Sequence, residues 1–309
     1  MTSTKDLVPI ILDCDPGHDD AIAMVVAARH TNLLGITTVA GNAPLESTTR
    51  NALVVRDLLG IDAPVHAGAN RPLVAPPRHA GYVHGESGLD GAQLPPPSGP
   101  PASRDAIGFI IDTVRNNDGV WLVPTGPLTN IALALRSAPD IAARIAGISF
   151  MGGGLFGNRT ATAEFNIWAD PEAAQAVFSF PIPKTMIGLD VTHRAVTTPA
   201  IVERLVATGA VGAFVADLVE FFAVYHQETY GWDGAPIHDA VAVAHVIRPG
   251  LVTTVDCNVE VELVSDLCRG RTVVDLWRRT DREPNADVGV DLDTDAFFDL
   301  LVERIGRLS

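Results

Sequence analysis

The chain has few cysteines, a shortage of positive charge and no long apolar run. Its three cysteines, Cys14, Cys257 and Cys268, are too few and too scattered for a disulfide framework or a zinc site, so reduced thiols are expected. Lys and Arg number 22 against 37 Asp and Glu, a net charge of −15. That deficit argues against a nucleic-acid polymer or an anionic membrane as partner, and leaves a neutral small molecule open. No apolar run approaches the ~20 residues needed to span a bilayer. Met1 to Asp6 lack a basic segment followed by an apolar signal region, which sets the expectation of a cytoplasmic protein. No Gly-x-Gly-x-x-Gly opens a helix after the first strand, so the dinucleotide-binding fingerprint is missing. There is no repeat of fixed period. What is present is ample core material: 309 residues, 47% hydrophobic and 19% charged.

The chain is organised around Asp13-Cys14-Asp15-Pro16-Gly17-His18-Asp19-Asp20. The apolar run before it, Leu7 to Leu12, is short and branched and reads as a buried strand. The run after it, Ala21 to Arg29, has helical composition, and Pro16-Gly17 marks a turn between them. Asp13 and Asp15 would share a face of a continuing strand. Asp19 and Asp20 fall in the first helical turn, where the helix N-terminus favours negative charge. That partial charge cannot neutralise four carboxylates in one crevice. A hard cation such as Ca2+ or Mg2+, which takes oxygen ligands, could. The bland alternative is an acidic helix start beside a solvated loop. The ligand site is favoured because α/β sheets bind ligands at the carboxyl ends of their strands.

Further on, strands and helices alternate. Strands are expected at Leu33 to Val39, Pro64 to Ala67, Gly119 to Val123, Ile145 to Phe150 and Lys184 to Leu189. Helices are expected at Glu46 to Leu59, Ala106 to Arg115, Leu128 to Leu135, Ala200 to Ala207, Gly212 to Tyr225 and Ala240 to Ile247. Asp170-Pro171-Glu172 is a helix start with an N-cap Asp and Pro at the first helical position, for a helix running to about Phe178. Gly68 to Pro101 is one long irregular segment, read as a loop over a site rather than a linker. Asn158 to Trp168 reads as a second loop. Gly152-Gly153-Gly154 suggests close backbone approach to another element. Val255, Cys257, Val259 and Val261 alternate with polar residues as one half-exposed strand, with neighbours at Thr272 to Leu276 and Ala286 to Leu292. Thr294 to Ile305 closes the chain as an amphipathic helix. The pattern predicts one α/β domain over residues 1–309, with a mainly parallel, Rossmann-like central sheet flanked by helices and a small antiparallel addition.

Four segments, in order, resemble the inosine-uridine-preferring nucleoside hydrolase family. They are Asp13 to Asp20, Pro124 to Asn130, Asn158 to Asn166 followed by Asp170-Pro171-Glu172-Ala173-Ala174, and His238-Asp239. His84-Gly85-Glu86-Ser87-Gly88-Leu89 is similar to a loop motif of the same family, and the likeness extends to Thr272-Val273-Val274-Asp275. The resemblance implies Ca2+-dependent hydrolysis of the N-glycosidic bond of a ribonucleoside. It implies that Asp15, Asp20, Asp239 and the Thr125 carbonyl ligate the Ca2+, with Asp13 behind them. Asp19 would be the general base for the attacking water and His238 the acid for the leaving base. Asn42, Asn158, Glu164 and Asn166 would hold the ribose, since amides and a carboxylate suit hydroxyl groups. Met151 and Phe165 would lie near the sugar, and His84 in the base pocket. A homo-oligomer, dimer or tetramer, follows from the family's habit.

Two departures from the pattern stand out. Pyrimidine-preferring members carry Tyr eight residues before the His, matched by Tyr230, but carry Gln where this chain has His226. Ala240 stands where relatives usually have Pro. The expectation is a weak lean to pyrimidine nucleosides such as uridine. Two other readings stay open. Asp13-x-Asp15 after a strand also resembles haloacid-dehalogenase-type phosphatases, although Gly17 stands where those have Thr or Val. A ribonucleoside or ribose binder without catalysis would use the same sugar and metal contacts.

Overall fold

Strands and helices alternate through the computed structural model, which describes residues 7–85, 87–90 and 94–305. Met1 to Asp6, and Glu86 of the His84 to Leu89 motif, lie outside the described residues. The strands are β1 (Pro9–Cys14), β2 (Asn32–Thr38), β3 (Val65–Ala67), β4 (Trp121–Pro124), β5 (Gly147–Met151), β6 (Lys184–Ile187), β7 (Val252–Cys257), β8 (Val259–Val261), β9 (Thr272–Val274) and β10 (Ala286–Leu292). The α-helices are α1 (His18–His30), α2 (Leu45–Leu58), α3 (Gly81–His84), α4 (Ala106–Asn116), α5 (Thr129–Ser137), α6 (Phe165–Ala169), α7 (Pro171–Phe178), α8 (Leu189–Thr192), α9 (Pro199–Val206), α10 (Ala210–Tyr230), α11 (Asp239–Ile247) and α12 (Thr294–Ile305).

Eight strands form one sheet in the order β3-β2-β1-β4-β5-β6-β10-β7. Every neighbouring pair is parallel except β10 and β7. Such a sheet is buried on both faces, which is why β1 and β5 carry almost unbroken apolar runs. One face packs on α1, α10, α11 and α12 through residues such as Ile22, Val26, Phe222, Val241 and Phe297. The other packs on α4, α5 and α7 through Ile110, Ile131 and Val177. The chain leaves β1 toward β2 on one side and reaches β4 on the other. The carboxyl ends of β1 and β4 therefore open a crevice at the switch point, the position where sheets of this class bind ligands.

Four stretches differ from their expected form. The loop expected from Asn158 to Trp168 contains α6, because Glu164 caps it: the carboxylate accepts from the N–H groups of Asn166 and Ile167. The single strand expected from Val255 to Val261 is two. It breaks at Asn258, β7 pairs with β10 in the main sheet, and β8 pairs with β9 in a separate two-stranded ribbon. The antiparallel addition is thus partly an edge of the main sheet. Helix α10 runs past Tyr225 to Tyr230, ending where Gly231 adopts the left-handed conformation that favours glycine. The Gly68 to Pro101 segment also folds one short helix, α3. His79 in that segment is half-buried, with Nδ1 3.0 Å from the Gly41 carbonyl oxygen.

Candidate active site

The turn Pro16-Gly17 brings the end of β1 onto the start of α1, and this hand-over builds an acidic centre. The Gly17 N–H donates to Asp20 Oδ2 at 3.0 Å. The Thr125 hydroxyl, just past β4, donates to Asp20 Oδ1 at 2.7 Å. Asn42, after β2, gives its backbone N–H to Asp15 Oδ2 at 2.6 Å and its side-chain amide to Asp20 Oδ2 at 3.1 Å. Asp239 enters from the first turn of α11, and carboxylate oxygens of Asp19, Asp20 and Asp239 lie within 4.8 Å of one another. Gly41 and Gly126 flank Asp15 so closely that a Cβ on either would fall 2.0 Å from Oδ2 or 2.5 Å from Oδ1. Any side chain at those positions would displace the carboxylate.

This centre has no counter-charge of its own. Asp15, Asp19, Asp20 and Asp239 are at most 5% exposed, and among the described residues no Lys or Arg forms an ion pair with them. Burial, followed by the neighbouring carboxylates, pushes Asp15 and Asp239 well above the usual carboxylate range, and burial raises Asp19 and Asp20 too. Asp15 Oδ1 is buried without a hydrogen-bond partner. An orphaned anionic oxygen beside three converging carboxylates is costly unless a cation or protons occupy the space. The oxygen-only donor set fits a hard divalent cation. Asp13 lies behind. It is fully buried on β1, its Oδ1 takes bonds from Thr37 and Asn130, and burial raises it to about 7.

Above the acidic floor opens a cleft lined by polar and aromatic side chains. Asp19, Asn42, Thr125 and Asp239 line its base. Met151, Asn158, Glu164, Phe165 and Asn166 line one wall. Glu164 accepts from Gly153 N–H at 2.9 Å and from Asn166 N–H at 2.9 Å, and burial raises its carboxyl to about 7. Asn158 Oδ1 accepts from Phe165 N–H at 3.0 Å. The Asn166 amide donates to the Thr125 carbonyl at 2.7 Å and the Met151 carbonyl at 3.1 Å, tying β4, β5 and α6 together. The glycines after β5 meet Thr272, whose hydroxyl accepts from Gly154 N–H at 3.0 Å.

Another part of the wall is aromatic. His84, His193, Phe222, Tyr225, His226, Tyr230 and His238 line it. His226 stacks on Tyr230 and Trp232, and Trp232 meets His193 edge-on. Burial pushes His84 and His238 well below the usual histidine range, and His193 and His226 down to about 4. These rings are therefore neutral near pH 7. His238 occupies the N-cap position of α11 without a side-chain cap bond, and the helix begins at Asp239 with Ala240 in its first turn. His18 lies outside the cleft wall, its Nδ1 3.1 Å from His84 Nδ1 and its Nε2 2.9 Å from the Asp90 carbonyl oxygen.

The residues given a catalytic, metal or substrate role from the sequence line the cleft, except Asp15 and Asp20, which hydrogen-bond to the lining residues Asn42 and Thr125, and Asp13 behind them. Sequence reasoning missed Tyr82, His193 and Phe222. Each arrives on an element, α3, the end of α8 or α10, whose packing against the cleft no local motif announces.

The model of a family described as inosine-uridine preferring nucleoside hydrolase matches residues 10–299. A pyrimidine-specific ribonucleoside hydrolase RihA from an Enterobacter species is 47% identical over 309 residues, covering 98% of this chain and 99% of the relative. Its counterpart from Salmonella agona is 48% identical, covering 96% and 98%. Among solved structures, a purine-preferring ribonucleoside hydrolase from Gardnerella vaginalis superposes with a TM-score of 0.90 at 35% identity, covering 97% of this chain and 98% of the other.

Proposed function

Because this chain belongs to the inosine-uridine preferring nucleoside hydrolase family and so hydrolyses ribonucleosides at the N-glycosidic bond, we propose that its cleft does so with a bound Ca2+ and favours pyrimidine nucleosides. Residues 1–309 act as one nucleoside hydrolase domain. Asp15, Asp20, Asp239 and the Thr125 carbonyl would hold the cation. When bound, it supplies positive charge that lowers the pKa of a coordinated water and anchors ribose hydroxyls. The observation that carries this reading is the counter-charge-free convergence of buried carboxylates, with Asp15 Oδ1 orphaned, at the floor of the cleft.

Asp19 stands at the same floor and takes the proton of the attacking water. The water oxygen bonds to the anomeric carbon as the bond to the base nitrogen breaks, through an oxocarbenium-like ribosyl group. His238, held neutral by burial, donates a hydrogen bond to the departing base, which leaves as its anion and takes its proton from solvent. The donors of Asn42 and Asn166 are committed to Asp15, Asp20, Thr125 and Met151. Their Oδ1 atoms, with Glu164, therefore remain to accept from ribose hydroxyls, and Asn158 offers its amide N–H. Asp13 supports the floor from behind. Met151 and Phe165 pack beside the sugar, and His84 beside the base.

Tyr230 on the aromatic wall, and relatives named pyrimidine-specific at 47–48% identity, support the pyrimidine preference. The presence of both Asp19 and His238 supports catalysis over mere binding, and family membership sets aside the phosphatase reading. A cytoplasmic homo-oligomer, dimer or tetramer, completes the reading. Among the described residues no helix is long and apolar enough to cross a membrane, and Val264, Leu267 and Trp277 are more than four-fifths exposed, as side chains awaiting a subunit contact would be. The test is product analysis over a panel of nucleosides. Free ribose and free base, with uridine turned over at least as well as inosine, support the proposal. Recovery of intact nucleoside contradicts it.

A further inference from the structure

Thr192 ends α8, immediately after β6, and is fully buried. Its Oγ1 lies 2.7 Å from Nδ1 of His238. Nothing in the sequence motifs draws attention to it, and it does not line the cleft. Thr31 and Thr208, each at a helix end, turn their hydroxyls back to the carbonyls of Ala27 at 2.6 Å and Leu205 at 2.7 Å. Thr192 does not. Among the described residues, the imidazole nitrogen is its hydroxyl's one hydrogen-bond partner.

We propose that Thr192 is a positioning residue whose hydroxyl donates to Nδ1 of His238 and so fixes the ring tautomer that carries its proton on Nε2, facing the leaving base. The inference rests on the reading of His238 as the group that assists that base. The direction of the bond follows from satisfaction of buried groups. If the ring donated from Nδ1, the buried hydroxyl would hold a proton with no acceptor, and an unmade bond of that kind carries its full desolvation penalty. With the hydroxyl donating, its proton and the Nδ1 lone pair are both satisfied. The ring's remaining neighbours, His193, His226 and Phe222, sit at centroid distances of 5.6, 6.3 and 6.4 Å as aromatic contacts. Among the described residues no protein group hydrogen-bonds Nε2, so that edge is left for the substrate. A partner on the far nitrogen that sets tautomer and ring orientation is a general means of tuning a histidine.

Thr192→Val keeps the shape and removes the hydroxyl, whereas Thr192→Ser keeps the hydroxyl. The readout is the ratio of kcat on uridine to kcat on p-nitrophenyl riboside, whose leaving group needs little protonation. Thr192→Val should lower this ratio on the order of 10- to 100-fold, the usual cost of losing such a supporting partner. Thr192→Ser should largely restore it, and His238→Ala should lower it at least as far as Thr192→Val. If His238→Ala lowers the ratio and Thr192→Val does not, or if Ser is as damaged as Val, the positioning role is overturned while the role of His238 stands. If neither variant changes the ratio, both are overturned. Nitrogen-15 spectra of the unaltered protein give a second measurement that needs no variant. They should show a protonated Nε2 and a bare Nδ1 on His238, and a protonated Nδ1 overturns the proposal.

Discussion

Removing the cation should turn the acidic floor into the main pH-dependent weakness of the fold. Asp13 shows the size of the effect. Burial raises its carboxyl from 3.8 to about 7, against the lowering pull of bonds from Asn130 and Thr37. A carboxyl raised in the folded state binds more protons folded than unfolded. Its contribution to stability therefore falls as pH rises from about 4, the unfolded value, to about 7. At ~1.4 kcal/mol per pH unit that displacement amounts to about 4 kcal/mol. In a chain of this length it is worth roughly 8 °C of melting temperature. Asp15, Asp19, Asp20 and Asp239 shift in the same direction, through burial first. The buried His193 and His226 act oppositely: held down to about 4, they lose stability only as pH falls below about 6.5. Above about pH 7 the histidine contribution to the pH dependence fades, while Lys184, held down to about 8 by burial, begins to add stability as pH rises. Thermal melts with chelator and with Ca2+, from about pH 4 to about 8, follow the loss from Asp13 up to about pH 7 and from Asp19, raised to about 8 chiefly by burial, beyond it. Chelated protein should melt progressively lower. Ca2+ at ~100 times its Kd should add about 2.7 kcal/mol, and the gap between the curves should widen as pH rises, because binding displaces protons. A gap that is constant, or that narrows with pH, refutes the reasoning.

Other changes test individual residues. Asp19→Asn should cripple hydrolysis of every substrate while leaving Ca2+-induced stabilisation measurable by melting; an active Asp19→Asn enzyme removes its role as base. His238→Ala should cost ~10²–10⁴-fold on uridine and far less on p-nitrophenyl riboside, so equal losses on both count against its role at the leaving base. If the Tyr230 hydroxyl donates to the departing pyrimidine, Tyr230→Phe should reduce kcat on uridine more than on inosine, by about 1 kcal/mol because the residue is 38% exposed. An unchanged variant shows that this segment does not select the base. Gly153→Ala should lower the melting temperature and raise KM, since its Cβ would sit 2.8 Å from the Met186 sulfur at a φ of +76°, beside the N–H that holds Glu164. Normal kinetics would show that the turn after β5 is not needed to place Glu164.

What could be read in advance divides along the range of the forces involved. The β1 to α1 hand-over was legible because its signals are local: a branched apolar run, Pro16-Gly17, then acidic residues at a helix start. The end of α7 and its Asp170 cap were legible for the same reason. Helix α6 was not, because Phe165-Asn166-Ile167-Trp168 has weak helix propensity and depends on the Glu164 carboxylate as its cap. The alternation from Val255 to Val261 carries no mark at Asn258, yet pairing partners change there, and only the insertion of β10 between β6 and β7 decides it. In the site, residues inside motifs were found. His193, Phe222 and Thr192 were not, because only the tertiary fold brings the end of α8 and the middle of α10 against His238.

The central claim is that this chain cleaves the bond between ribose and base with water and a bound Ca2+. It is tested most directly by digesting uridine in water enriched in oxygen-18, with Ca2+ and with chelator, and weighing the products by mass spectrometry. The account predicts uracil without label, ribose with one labelled oxygen, and no products after chelation until Ca2+ is restored. Undiminished ribose release from thoroughly metal-free protein, or ribose formed without the label under conditions that prevent exchange, would contradict it.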